Sequence, residues 1–461
     1  MCIRDSNYRY QSNELIYLLD NSDSEAVFYQ GCYANQVEKI RDELPKVKVW
    51  IQLEDSTPLL EGSHAYSDVV QNTAPMPRIE RNEDNIYMLY TGGTTGMPKG
   101  VMYTHGGFVN SMLKTLKGMG VDVPDELADI KDTILNLHEN GELAKSFVAC
   151  PLMHGTGMWL GGFLSHLLGG CVVTTPNLGL DTKLLWEEVE RVGITNIIIV
   201  GDSFAKPMVK ELDRAVSENK PYNLETLKLI YSSGVMFSAD VKASLLEHHD
   251  MVLMDAMGSS EGGMGSSVTT REDGAATAKF RLNPGVVVVS DDGEEVLPGS
   301  GVRGLIGTSG LVPEGYYKDK EKSDATFKEF NGTRYSFPGD YALVEADGTI
   351  TLLGRGSNCI NSAGEKIYPE EVEEALKLNS NVYDSLVVGL PDERFGNKVV
   401  GVVSLVENCE IDEAELISST REHLSGYKLP KSIIFVSEVM RAPNGKADYK
   451  WAKKIAEAEL I

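Results

Sequence analysis

Tyr90-Thr-Gly-Gly-Thr-Thr-Gly-Met-Pro-Lys-Gly100 lies between two apolar runs of strand character, Ile86-Tyr-Met-Leu-Tyr90 and Val101-Met-Tyr-Thr104. Gly92, Gly93 and Gly96 let the backbone adopt positive φ and approach a ligand closely. The hydroxyls of Thr91, Thr94 and Thr95, with the Lys99 ammonium, are donors suited to phosphate oxygens. The string is not a Walker A loop, which needs Gly-Lys-Ser/Thr, because Pro98 precedes Lys99 and Gly100 follows it. A bare glycine-rich hairpin would need no ligand. Eleven residues combining four glycines, three threonines and a lysine between two strands favour a phosphate loop over that reading.

Outward from this loop, strands and helices alternate. Ala26-Val-Phe-Tyr29, Cys171-Val-Val-Thr-Thr175, Asn196-Ile-Ile-Ile-Val200, residues 227–231 and Met251-Val-Leu-Met254 read as strands. Residues 14–19, the segment after His105, and residues 181–192 and 239–248 read as helices, whereas the polar stretch 51–85 reads as a surface connection. Short all-apolar strands between helices predict an α/β sheet covered on both faces. From about Phe280 short strands and Gly/Asp turns predict a small β-rich subdomain. Beyond Gly354-Arg-Gly-Ser357 the pattern becomes α+β, with helices at 369–378, 412–424 and 447–460 and strands at 385–390, 398–406 and 433–437. The expected organisation is a large domain over 1–353 and a small domain over 354–461.

The 461 residues carry 43 Lys and Arg against 68 Asp and Glu, a net charge of −25. Such a field repels polyanions, so nucleic acid and anionic membrane are excluded as general partners, and an anionic ligand must be held by local Lys, Arg and backbone N–H groups. Cys2, Cys32, Cys150, Cys171, Cys359 and Cys409 show no CxxC spacing and none sits near a His at zinc-finger spacing, which argues against a disulfide framework or structural zinc and for a reducing, cytoplasmic setting. No apolar run reaches the ~18–20 residues of a membrane span, residues 158–170 being too short and interrupted by Ser165 and His166. Homodimer formation is left open.

Tyr90–Gly100 resembles the phosphate loop of the adenylate-forming (ANL) superfamily, which includes acyl-CoA synthetases and peptide adenylation domains. The resemblance recurs in family order over residues 7–461. Pro151-Leu-Met-His154 resembles the segment lining the acyl site, with Gly201 beside it. Ser232-Ser-Gly-Val-Met236, with Ser233 and Gly234, resembles the adenine-contacting turn. Met257-Gly-Ser-Ser-Glu261 resembles the Tyr-Gly-x-Thr-Glu string, Tyr335 to Asp340 the Tyr-x-x-x-Gly-Asp segment, Gly354-Arg355 the hinge motif and Pro443-Asn-Gly-Lys446 the C-terminal lysine motif. Details such as Gly364-Glu-Lys-Ile-Tyr-Pro369 are most similar to bacterial acyl-CoA synthetases of the fatty-acid class.

The resemblance implies that ATP, Mg²⁺ and coenzyme A are bound. Glu261 is a carboxylate suited to Mg²⁺ beside phosphates, or equally a helix-capping residue after Ser259 or Ser260. Asp340 can accept from both ribose hydroxyls, or serve only its own turn. Arg355 can fork onto phosphate or ribose oxygens, or form a weak surface ion pair. His154 can gate the carboxylate site or pack as a core histidine. Gly258, Ser259 and Ser260 would face the nucleotide, Met257 with His154 and Gly201 the acyl group, Ser362 and Gly364 the path of the CoA thiol, and Ser357 the hinge. Lys446 and Lys99 would offset phosphate charge. The implied reaction joins a fatty-acid-like acid to CoA through an acyl-adenylate, releasing AMP and pyrophosphate. The alternative acceptor is a carrier-protein thiol.

Three departures accompany the resemblance. Met257 stands where the string has an aromatic, Ser357 stands at a hinge position often Asp or Lys, and the family's chain begins well before Asn7. Met1–Ser6 read as a foreign or assembly scar on a chain truncated at its start, and a version extended upstream is expected to be the more stable.

Overall fold

The computed structural model describes residues 10–91, 98–177, 179–272, 279–362, 365–392, 396–424, 426–442 and 445–460. The chain divides into two compact units, residues 1–129 with 311–327 and residues 130–310 with 328–461.

In the first unit, helix Ser12–Asn21 begins with the Gln11 N–H donating to Glu14 Oε2 at 2.8 Å. Strands Ala26–Gln30 and Val49–Leu53 pair in parallel, and His64–Ala65 extends that sheet. Val49–Leu53 and helix Tyr66–Asn72 fall on or within the segment read as a polar connection. The reason is Gln52, a buried amide inside the strand that accepts from Tyr29 Oη and the Leu60 N–H and donates to the Pro58 carbonyl. A polar side chain satisfied in this way breaks the apolar run without breaking the strand. Strands β1 (Ile86–Thr91) and β2 (Lys99–Thr104) form an antiparallel hairpin, and Gly315–Tyr316 adds to β2. Helix His105–Gly118 follows, capped by Thr104 Oγ1 accepting from the Gly107 N–H.

In the second unit one sheet runs in the order Cys171–Val173, Lys145–Val148, Asn196–Ile199, β3 (Leu229–Ser233), β4 (Val252–Ser259) and β5 (Gly262–Thr269). The first five are parallel, and β5 turns back antiparallel on β4. The sheet then continues through Lys279–Leu282, β7 (Thr349–Arg355), β6 (Asp340–Val344), Arg303–Thr308 and Thr333–Ser336. The β-rich part is thus an extension of the α/β sheet, because the β4–β5 hairpin leaves an edge on which the later strands pair. Helix α1 (Asp202–Ser217) buries Phe204, Ala205, Met208, Leu212 and Ala215 at helical spacing, although Pro207 lies inside it. Helix α2 (Ala239–His248) joins β3 to β4.

Toward the C-terminus, β8 (Val382–Asp392) pairs antiparallel with Gly396–Leu405, which pairs in parallel with Ser432–Val436. Helix α3 (Pro369–Lys377) and helix Glu413–Thr420 cover one face, where Val372, Leu376, Val387, Val403 and Leu416 pack. Helix Tyr449–Leu460 covers the other, against Leu386, Val388, Val400 and Val402. Each fully buried Val or Leu contributes about 1.5–3 kcal/mol, so period-two strands buried on both faces suffice to hold this small layer.

Candidate active site

The β1–β2 hairpin ends on the rung Thr91–Lys99, and Lys99 Nζ stands 5.2 Å from the centroid of the Tyr316 ring. Gly92, Gly93, Thr94, Thr95 and Gly96 lie outside the described residues.

In the second unit, the C-terminal end of β3 meets the start of α1. The Gly201 N–H donates to Ser232 Oγ at 3.0 Å. Gly201 has φ +57°, and a Cβ there would stand 2.2 Å from the Met236 carbonyl oxygen, so only glycine fits. A Cβ on Gly234, φ +90°, would lie 3.6 Å from His154 Cε1, and His154 Nδ1 accepts from the Thr156 N–H at 3.3 Å. His154, Gly201, Ser233 and Gly234 therefore gather at the carboxyl ends of parallel strands, where open α/β sheets bind ligands.

Gly157 and Gly161 permit close packing of the π-helix Thr156–Phe163: a Cβ on Gly157 would stand 2.5 Å from the Pro151 carbonyl oxygen, and one on Gly161 2.5 Å from Val148 Cγ2. Met257 is buried in a cluster with Met264, Phe280 and Ile306.

Ser260 and Glu261 form the two-residue turn between β4 and β5, beyond the Gly258–Gly263 and Ser259–Gly262 rungs. Glu261 is therefore not a helix cap, and its N–H donates to Ser259 Oγ at 3.1 Å. Its side chain is inward, with 8% of the residue exposed. Asp340 opens β6 opposite Arg355 on β7, with Arg355 Nε 3.3 Å from Asp340 Oδ1. Asp340 Oδ2 is buried and has no partner among the described residues. Burial pushes the Asp340 carboxyl up, Arg355 opposes the shift, Glu261 adds to it, and Lys446 opposes it. Two carboxylates, a guanidinium and an ammonium are thus electrostatic neighbours.

Lys446 closes a tight turn in which the Ala442 N–H donates to the Lys446 carbonyl and the Gly445 N–H to the Ala442 carbonyl, both at 2.8 Å. Ser357 lies in the short 3₁₀ turn Gly356–Asn358, its side chain outside the description. Ser362 ends the buried strand Ile360–Ser362, whereas Gly364 is outside the described residues.

The set around Glu261 suits Mg²⁺ held mainly by phosphate and water, with one protein carboxylate. Among the described residues no group of three or more His, Cys, Asp or Glu could cage a metal. Sequence reasoning missed Arg441 and Asp384, which pair through Nε–Oδ2 at 2.6 Å and Nη2–Oδ1 at 2.7 Å behind the Lys446 turn. No local signal links two residues 57 positions apart, although an arginine five positions before the motif lysine is a hint.

Residues 6–317 match the family described as AMP-binding enzyme, and residues 371–446 match the AMP-binding enzyme C-terminal domain. The chain is 41% identical over 463 residues to the 3-oxocholest-4-en-26-oate–CoA ligase of Rhodococcus rhodochrous, covering 97% of this chain and 81% of that protein. It is 36% identical over 457 residues to the medium-chain acyl-CoA ligase Mig of Mycobacterium avium, covering 98% and 81%. Among solved structures, ATP-bound MatB from Rhodopseudomonas palustris superposes with a TM-score of 0.79 at 20% identity, covering 99% of this chain and 84% of that one. The anthranilate CoA ligase AuaEII with anthranoyl-AMP gives the same TM-score and identity, covering 99% and 83%. A family match over residues 6–317, a second over residues 371–446 and a relative 41% identical nearly end to end place the chain in the AMP-binding enzyme family of the adenylate-forming (ANL) superfamily.

Proposed function

We propose that this protein is an ATP-dependent acyl-CoA synthetase that activates an apolar carboxylic acid and transfers the acyl group to coenzyme A. The observation that carries the reading is Asp340, whose buried Oδ2 has no partner among the described residues and whose carboxyl feels the charges of Glu261 and Lys446. A carboxylate oxygen kept dry and unpartnered is poised to accept a ligand hydroxyl such as that of ribose.

In the first step a substrate carboxylate oxygen bonds to the α-phosphorus of ATP as the bond to pyrophosphate breaks. Lys99 and the threonines of the hairpin loop hold the leaving phosphates, Ser260 and Gly258 lie along the nucleotide, and Arg355 steadies Asp340. Glu261 would hold Mg²⁺, which when bound neutralises phosphate charge. Lys446 offsets the negative charge that develops on the α-phosphate. In the second step residues 354–461 turn about Ser357, withdraw Lys446 and open a path past Ser362 and Gly364. The CoA thiol loses its proton and attacks the acyl carbon, and AMP leaves.

An apolar acid is favoured because Asp202, the carboxylate at the start of α1, is already engaged: its Oδ1 accepts from the Ser238 N–H at 2.8 Å, and its Oδ2 lies 4.0 Å from Lys206 Nζ. The relative from Rhodococcus rhodochrous is named for a steroid acid and that from Mycobacterium avium for medium-chain acids, so both classes belong in the test. Among the described residues no helix is long and apolar enough to cross a membrane.

The experiment is chromatography of nucleotide and thioester after incubation with ATP, Mg²⁺, CoA and a panel of acids. AMP, pyrophosphate and free acyl-CoA are expected with medium- or long-chain or steroid acids. ADP would indicate phosphate transfer. AMP release that needs a carrier protein rather than CoA would change the acceptor, and better turnover with amino acids or acetate would overturn the apolar-acid reading.

A further inference from the structure

Helix α1 carries a second set of contacts that the chemistry above does not use. Lys206 Nζ donates to the backbone carbonyl of Tyr383 and stands 4.9 Å from the centroid of the same residue's ring. Tyr383 is the second residue of β8, and its neighbour Asp384 grips Arg441 through both carboxylate oxygens. Arg441 Nη1 in turn donates to the Gly445 carbonyl at 3.2 Å, one residue before Lys446. Gly445 itself, with φ +74°, presses on the start of α1: a Cβ there would stand 2.5 Å from Ser203 Oγ and 3.2 Å from Val200 Cγ1. Ser203 and Lys206 are three residues apart and so share one face of the helix.

One strap, running from Tyr383 through Asp384 and Arg441 to Gly445, is therefore seated at both ends on α1. Along this face Lys210 and Glu407 also approach, at 3.6 Å, but both are largely exposed and the pair contributes little. Burial lowers the Lys206 pKa, and the Asp202 carboxylate opposes that shift. The ammonium lies in a partly dry position where both its hydrogen bond and its ring contact are strengthened.

We propose that Lys206 is a positioning residue for adenylation: by fastening Tyr383 to α1 it holds the strap that delivers Lys446 to Asp340. The inference rests on the two-step reading, in which the strap occupies this seat for acyl-adenylate formation and leaves it for thioester formation. Lys206 acts through Tyr383, so its loss should slow the first step by lowering the population of the seated arrangement. It should spare the second step.

The test uses the whole protein in two assays, pyrophosphate exchange for adenylation and AMP release from synthetic acyl-adenylate plus CoA for thioester formation. Lys206→Met is expected to slow exchange about tenfold, equal to about 1.4 kcal/mol, and to leave AMP release within about twofold, since that step does not use the seat. Lys206→Arg, which keeps an N–H donor and a cation over the ring, should recover most of the exchange rate. Tyr383→Ala, at an exposed ring, should give a smaller loss in exchange alone, and it carries the test if Lys206→Met does not fold. Equal losses in both steps, a loss confined to AMP release, or no loss overturns the inference. If the unaltered protein makes no AMP or acyl-CoA, the two-step reading fails and the inference falls with it.

Discussion

Asp340 joins two properties that seldom coexist in a carboxylate oxygen, since its Oδ2 is buried and has no partner among the described residues. Arg355 satisfies only Oδ1, so folding maintains an acceptor that a bound ligand can complete. Asp340→Asn keeps the shape but removes the charge, and hydrogen bonds to charged groups contribute about 1.5–3 kcal/mol. The variant is expected to raise the KM for ATP about ten- to hundredfold, measured by pyrophosphate release at varied ATP. An unchanged KM would make Asp340 a purely structural turn residue. Lys446 predicts a different pattern. Lys446→Ala should slow acyl-adenylate formation by about 10²–10³, as loss of one preorganised charge donor does, while supplied adenylate reacts with CoA at nearly the normal rate. Lys99→Ala should show a defect that shrinks at high ATP. Equal damage to both half-reactions by Lys446→Ala would contradict the two-step scheme.

At the scale of elements, β4 carries a device that the chemistry does not reach. Asp255 on β4 and Lys242 on α2 are 3% and 1% exposed, with Nζ 3.6 Å from Oδ2. Breaking such a pair leaves an uncompensated buried charge, whereas replacing both partners by apolar groups is often harmless. Lys242→Met should lower unfolding stability by about 3 kcal/mol, and Lys242→Met with Asp255→Leu should recover most of it, read by urea unfolding. A double variant no better than the single one would show that the pair is needed for more than charge balance. The elements legible in the sequence share one feature: β1, Asn196–Ile199 and β3 are short apolar runs with nothing polar to interrupt them. Val49–Leu53 was hidden by Gln52 and α1 by Pro207, residues whose local signal is overridden by tertiary hydrogen bonding and packing. The site divides in the same way. Glu261, Asp340 and Lys446 announce themselves in motif strings, but Arg441 meets Asp384 across 57 residues and Lys206 meets Tyr383 across 177. Such pairs exist only after the strands are placed, so no window of sequence contains them.

Across the whole molecule, the acidic balance and the buried carboxyls act on stability in the same direction. Burial pushes Asp255 up to about 7 and raises Glu373, Glu374 and Asp340 above the usual carboxylate range. A carboxyl whose folded pKa exceeds its unfolded value of about 4 binds more protons in the native state between the two values. Its contribution is fully present below about pH 4 and is lost as pH rises through the folded pKa. Acting the other way, Arg214 holds Glu211 down to about 2, and the Arg441 pair outweighs burial in lowering Asp384. These groups lose stability only as pH falls below about 4, so they are silent near neutrality. The net charge of −25 adds self-repulsion. The thermal midpoint is therefore expected to fall by a few degrees between pH 6 and pH 8, and added salt should recover part of the loss at pH 8 by screening surface repulsion. Salt cannot restore the protons lost by buried carboxyls, so a residual difference between the two pH values should persist at high ionic strength. A midpoint that rises from pH 6 to pH 8 would show that the buried carboxyls are ionised in the native state and paired more strongly than their burial allows.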